Sequence, residues 1–169
     1  MRLSEAQLNY FQTFGFLKFP GLLADRINEI EAAFESIWLD GDAGDDRKPH
    51  DGRVRSCIVP FIDQSERLCQ LIDDDGIVGI ASSLLGEDFN YCSSDGNYYV
   101  GDTAWHSDGW RPADGYLYLK MAIYLDPLTK DNGCLRVVPG SHYPGDWVSD
   151  RLHAELRLST EFRKSRTRC

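Results

Sequence analysis

Between Tyr116 and Asp126 the chain alternates. Leu117, Leu119, Met121, Ile123 and Leu125 interleave with Tyr116, Tyr118, Lys120, Ala122 and Tyr124. Side chains of an extended backbone leave on opposite faces at each step, so a period of two over ten residues specifies a strand. Further strands are expected at Phe89 to Ser93, Asn97 to Val100 and Leu135 to Val138, separated by turn clusters. Asn132-Gly133 is a tight-turn signal ahead of the last of these, and Pro139-Gly140 begins another turn after it.

The first half of the chain reads differently. Ser4-Glu5-Ala6-Gln7 has the form of a capping box, Leu8, Phe11 and Phe14 recur at helical spacing, and Gly15 ends the helix. Phe16 to Phe19 is expected to be a short strand stopped by Pro20-Gly21. A second helix starts near Ala24 or Asp25, with Ile27, Ile30, Ala33, Phe34, Ile37 and Trp38 on its apolar face and Glu29, Glu31 and Glu35 solvated. Asp40 to Gly52 is a loop whose acids fit no calcium-binding spacing. Ser65 caps a helix reaching Ile72, and Asp73-Asp74-Asp75 caps another over Gly76 to Leu85, closed by Gly86. Helices first and antiparallel strands after them make an α+β chain.

The chain has 169 residues, enough for one domain with a core. Its net charge of -9 argues against nucleic acid or an anionic membrane as partner. No apolar run approaches the roughly 20 residues of a membrane span, and Met1 to Glu5 lacks a signal-peptide layout, so a cytoplasmic location is expected. Cys57, Cys69, Cys92, Cys134 and Cys169 are spread without a Cys-x-x-Cys and are expected to be small buried hydrophobes. Charge divides the chain. Residues 1–150 hold 12 basic against 25 acidic side chains, whereas residues 151–169 hold 6 against 2. The expected organisation is a domain over 1–150 and a basic tail over 151–169, helical or disordered.

Chemistry concentrates in Trp105-His106-Ser107-Asp108-Gly109. Two residues apart on an extended backbone, His106 and Asp108 project to the same face and bring an imidazole nitrogen and a hard oxygen to one metal ion. Such a pair is two-thirds of the two-His-one-carboxylate set that holds Fe(II) and leaves positions open for oxygen and a co-substrate. The triplet alone is a weak signal.

With its neighbours it is a stronger one. Trp105-His106-Ser107-Asp108, the strand Leu119 to Asp126, and Asn132-Gly133-Cys134-Leu135 leading to Pro139-Gly140-Ser141-His142 together resemble the phytanoyl-CoA dioxygenase family of Fe(II)- and 2-oxoglutarate-dependent oxygenases. The opening, a short helix, Gly15-Phe16, a strand, then Pro20-Gly21 and a helix, is similar to the family's start. The resemblance runs over roughly residues 4 to 146 and implies a double-stranded β-helix, or jelly roll, with helices packed on it. It implies His106 and Asp108 as iron ligands, with Fe(II), 2-oxoglutarate and O2 as cofactor and co-substrates. It implies decarboxylation of 2-oxoglutarate to succinate and hydroxylation of an unactivated C–H bond in a small molecule. Relatives place co-substrate contacts on the strand before the ligand pair, which points to Asn97 and Tyr99; the alternatives are a strand-edge Asn and a core Tyr. Lys120 either points inward toward a carboxylate or faces out and snorkels.

The sequence also departs from the family. The third ligand is a downstream His, followed by an Arg for the far carboxylate of 2-oxoglutarate, and neither has a counterpart here. His142, in a turn that the family uses structurally, and His153, in an amphipathic stretch, are weak substitutes. An incomplete jelly roll is therefore expected: a poorly closed domain, a dimer sharing open sheet edges, or a fragment. The second functional reading is a truncated, catalytically inactive remnant of the family.

Overall fold

The computed structural model describes residues 1–39, 50–101, 103, 105–106 and 117–142, with the backbone of 166–168. Four α-helices, α1 (Glu5–Phe14), α2 (Ile27–Leu39), α3 (Glu66–Cys69) and α4 (Asp75–Leu85), accompany three strands, β1 (Ser56–Ile58), β2 (Gly96–Val100) and β3 (Arg166–Arg168).

The helices start and stop where local chemistry dictates. Both capping-box bonds at α1 are formed: Gln7 N–H donates to Ser4 Oγ at 3.3 Å and Ser4 N–H to Gln7 Oε1 at 2.9 Å. Gly15, at φ 81°, closes that helix by donating to Phe11 O at 2.7 Å. At α4 the Asp74 carboxylate accepts from the N–H groups of Gly76 and Ile77, two of the donors a helix start leaves unpaired. A 3-10 turn over Ala24–Arg26 leads into α2, which buries Ile30, Ala33, Phe34 and Ile37 at spacings of three and four. Glu35, expected in solvent, is half-buried instead and accepts from the Tyr98 hydroxyl at 2.6 Å. The helix after Ser65 is one turn long rather than reaching Ile72.

The sheet is antiparallel in the order β1-β2-β3. Ser56 pairs with Tyr98, Cys57 with Asn97 and Ile58 with Gly96; on the other side Tyr98 pairs with Arg168 and Val100 with Arg166. Ile58 and Tyr98, 2% and 3% exposed, face the core. There Phe34 packs against Phe61 at 5.0 Å and against Tyr98 at 5.3 Å between ring centroids. The Phe61 ring lies so close over Gly96 that a Cβ there would collide with it. Each aromatic or aliphatic side chain sealed in this layer contributes roughly 1.5–3 kcal/mol over its exposed state.

Several expected strands are not formed among the described residues. Phe16 to Phe19, Phe89 to Ser93, 117–126 and Leu135 to Val138 carry no strand assignment. A strand exists only through a hydrogen-bonded neighbour, and these segments have no ladder partner there. Burial along 117–126 does not alternate: of the one alternating set, Ile123 and Leu125 lie against the core while Leu117 and Met121 are exposed. The architecture is mixed helix and small antiparallel sheet, an α+β arrangement; the described residues do not build the expected jelly roll. The tail expected to be helical or disordered contributes strand β3, and the rest of 151–169, including His153, lies outside the described residues. The cysteines also differ from expectation. Cys57, Cys69, Cys92 and Cys134 are free thiols, and all four are at least partly exposed. No described helix is long and apolar enough to cross a membrane.

Candidate functional site

Because residues along a strand alternate, the face of the sheet opposite the aromatic core carries Cys57 from β1 and Asn97 and Tyr99 from β2. Asn97 is 2% exposed, the one polar side chain among the buried core residues described. Its Oδ1 accepts two hydrogen bonds from Arg55, from Nε at 2.9 Å and Nη2 at 2.5 Å, and its Nδ2 donates to Asp95 Oδ2 at 2.7 Å. The Arg55 guanidinium lies 4.7 Å from the centre of the Tyr99 ring, a cation–π contact, and 3.8 Å from Asp95 Oδ2. A polar patch of cation, amide, carboxylate and phenol thus covers this face.

Arg55 and Asp95 were not legible as site residues. Arg55 directly precedes a three-residue strand, too short to show a period, and only the pairing of β1 with β2 brings it opposite Tyr99. Asp95, next to Gly96, reads as part of a turn.

Cys57 lies on the same face. Although its residue surface is exposed, loss of water around the thiol pushes its pKa up from the usual 9.0, against the pull of Arg55, while Asp95 pushes the same way. Lys120 is close enough to pull that thiol down and is itself exposed. The upward direction of the shift disfavours the thiolate, the form that acts as nucleophile or metal ligand.

Beyond β2 the chain runs to Trp105 and His106. Trp105 is half-buried, with the Arg136 guanidinium 5.0 Å from its ring centre, and His106 is exposed. Asp108, the other half of the expected pair, lies outside the described residues. Among the described residues no three His, Cys, Asp or Glu side chains gather into a metal-binding group. The donor types in His106-Ser107-Asp108 suit Fe(II), but the described residues do not complete a centre. His142 is engaged elsewhere. Its Nε2 lies 3.0 Å from Gln12 O, and its ring packs on Gly15 and beside Phe11. It serves the junction between α1 and the Pro139-Gly140 turn.

Residues 11–163 match the family described as phytanoyl-CoA dioxygenase (PhyH). An ectoine dioxygenase of Streptomyces avermitilis is 30% identical over 154 residues, which are 83% of this chain and 52% of that protein. Ectoine dioxygenases of Sphingopyxis alaskensis and Streptomyces coelicolor are each 29% identical, again over 83% of this chain and over 50% and 51% of their own lengths. The chain spans about half the length of these curated relatives. No solved structure matches it.

Proposed function

Since the chain belongs to the phytanoyl-CoA dioxygenase family, we propose that it carries the co-substrate face and part of the metal site of an Fe(II)- and 2-oxoglutarate-dependent dioxygenase that hydroxylates an unactivated C–H bond of a small molecule. The observation that carries this reading is Asn97, a buried amide fixed by Arg55 on the strand that leads to Trp105 and His106. A fixed N–H donor beside a guanidinium is the chemistry that receives a carboxylate oxygen. On this reading Asn97 and Tyr99 meet 2-oxoglutarate, and His106 and Asp108 hold Fe(II). Bound Fe(II) supplies oxygen activation; the protein's part is to orient the dicarboxylate and keep water from it.

The named relatives are ectoine dioxygenases, and for this chain we carry over only the reaction class. The acidic balance of residues 1–150 disfavours a polyanionic substrate, nucleic acid and anionic membranes.

Anaerobic titration of the chain with Fe(II) and then 2-oxoglutarate tests the reading. The expected result is the weak visible charge-transfer band of the chelated complex, lost in His106→Ala. No band, or an unchanged one in that variant, refutes it. One observation favours the second reading, a catalytically inactive relative: His142, a possible substitute for the third ligand, is bound to the end of α1. Metal binding without 2-oxoglutarate consumption would be its signature.

A further inference from the structure

We propose that Arg55 is a positioning residue whose task is to set the orientation of the Asn97 amide, so that Asn97 presents an N–H, and never its oxygen, to a bound carboxylate. This rests on the reading of Asn97 as a co-substrate contact. An asparagine side chain has one oxygen with two lone pairs and a nitrogen with two hydrogens. Here Arg55 Nε and Nη2 take up both lone pairs of Oδ1, at 2.9 and 2.5 Å. Asp95 Oδ2 takes one hydrogen of Nδ2, at 2.7 Å. One N–H remains.

An amide free to rotate by half a turn would offer a ligand oxygen either a donor or a repelling acceptor. With a guanidinium at one end and a carboxylate at the other, the reversed orientation would set the NH2 group against Arg55 and the oxygen against Asp95. Both contacts would be repulsive, at an amide that is itself 2% exposed although the Arg55 and Asp95 side chains reach solvent. Tyr99 holds the device in place, because the guanidinium rests on its ring at 4.7 Å. Lysine cannot replace arginine here: an ammonium keeps the charge but lacks the planar fork that fills both lone pairs.

The experiment is a double-mutant cycle on the full chain, reading 2-oxoglutarate affinity by anaerobic calorimetry in the presence of Fe(II). Asn97→Ala is expected to weaken binding about tenfold or more, the size of one hydrogen bond to a charged group. Arg55→Ala should weaken it comparably, Arg55→Lys should not restore it, and the double variant should bind no worse than Asn97→Ala. Additive losses would show Arg55 gripping the ligand independently, and full rescue by lysine would show that charge alone suffices; either overturns the proposal. If Asn97→Ala weakens binding and Arg55→Ala does not, the positioning role fails while the reading of Asn97 stands. If the wild-type chain binds no 2-oxoglutarate, or Asn97→Ala binds it normally, the underlying reading fails and this proposal with it. A metal-free readout covers variants that fold poorly. In wild-type protein the Asn97 side-chain amide protons should be well separated in the NMR spectrum and protected from exchange. Arg55→Lys should collapse that signature, and an unchanged spectrum would overturn the proposal.

Discussion

Asp74 shows how much one side chain can set at the end of a helix. It caps α4 and also bonds Arg26 Nη1 at 3.1 Å, tying the start of α4 to the turn ahead of α2. The Ile77 N–H does most to hold its carboxyl below the usual value of 3.8; partial desolvation opposes this, and Gly76 and Arg26 reinforce it. A folded pKa below the unfolded one stabilises the fold fully above the unfolded value and ceases to do so as pH falls through the folded value. Asp74→Ala should therefore cost about 1 kcal/mol at neutral pH. Urea unfolding at stepped pH should show the difference from wild type shrinking below about pH 4. A difference that persists at the acid end would mean that packing, not charge, is lost. Gly96→Ala belongs to the same scale. The new methyl meets the Phe61 ring, and overpacking of this kind costs roughly 1–3 kcal/mol. A thermal midpoint equal to wild type would contradict the packing described for β2.

Among the elements, α1 and the Pro139-Gly140 turn are bound together far from each other in sequence. Gly140 N–H donates to Phe14 O at 3.0 Å, and His142 reaches Gln12 O. Gly15 allows the approach twice over, by its positive φ and by its missing side chain. Gly21, at φ 76° with open space around it, shares only the first property. Gly15→Ala should thus lower the melting temperature more than Gly21→Ala; equal losses would remove the contact with His142 from the explanation. The helices were legible because their signals are local: a capping Ser or Asp, a closing Gly, and the spacing of Ile30, Phe34 and Ile37. The sheet was legible only in part. Asn97 to Val100 reads as a strand from its own residues, but Ser56–Ile58 is too short to declare itself, and Arg55 acquires its partners only from pairing across a gap of 42 positions. The alternation at 117–126 is real in the residues, yet no neighbouring backbone among the described residues completes it. Of the metal pair, His106 is described and Asp108 is not, so that half of the site rests on sequence and family.

The molecule as a whole presents apolar side chains that its described residues do not cover. Leu117 and Leu135 are each 64% exposed, with Tyr118, Met121 and Val137 also open. Apolar surface gathered on two neighbouring stretches of sequence favours association with more protein. The expected behaviour is reversible self-association that grows with concentration in sedimentation velocity and falls when Leu117 and Leu135 are both replaced by Lys. A monomer at every concentration would show that these side chains are covered within the chain.

Strand β2 divides two environments with consecutive letters: Tyr98 belongs to the aromatic layer under α2, Asn97 and Tyr99 to the polar face. Loss or gain of a single codon between Gly96 and Val100 would exchange the two sets at one stroke, sending an amide among the rings and a ring among the charges. Substitutions can drift here one at a time, but length cannot, and the reading frame of structure along these five residues is as unforgiving as that of the gene.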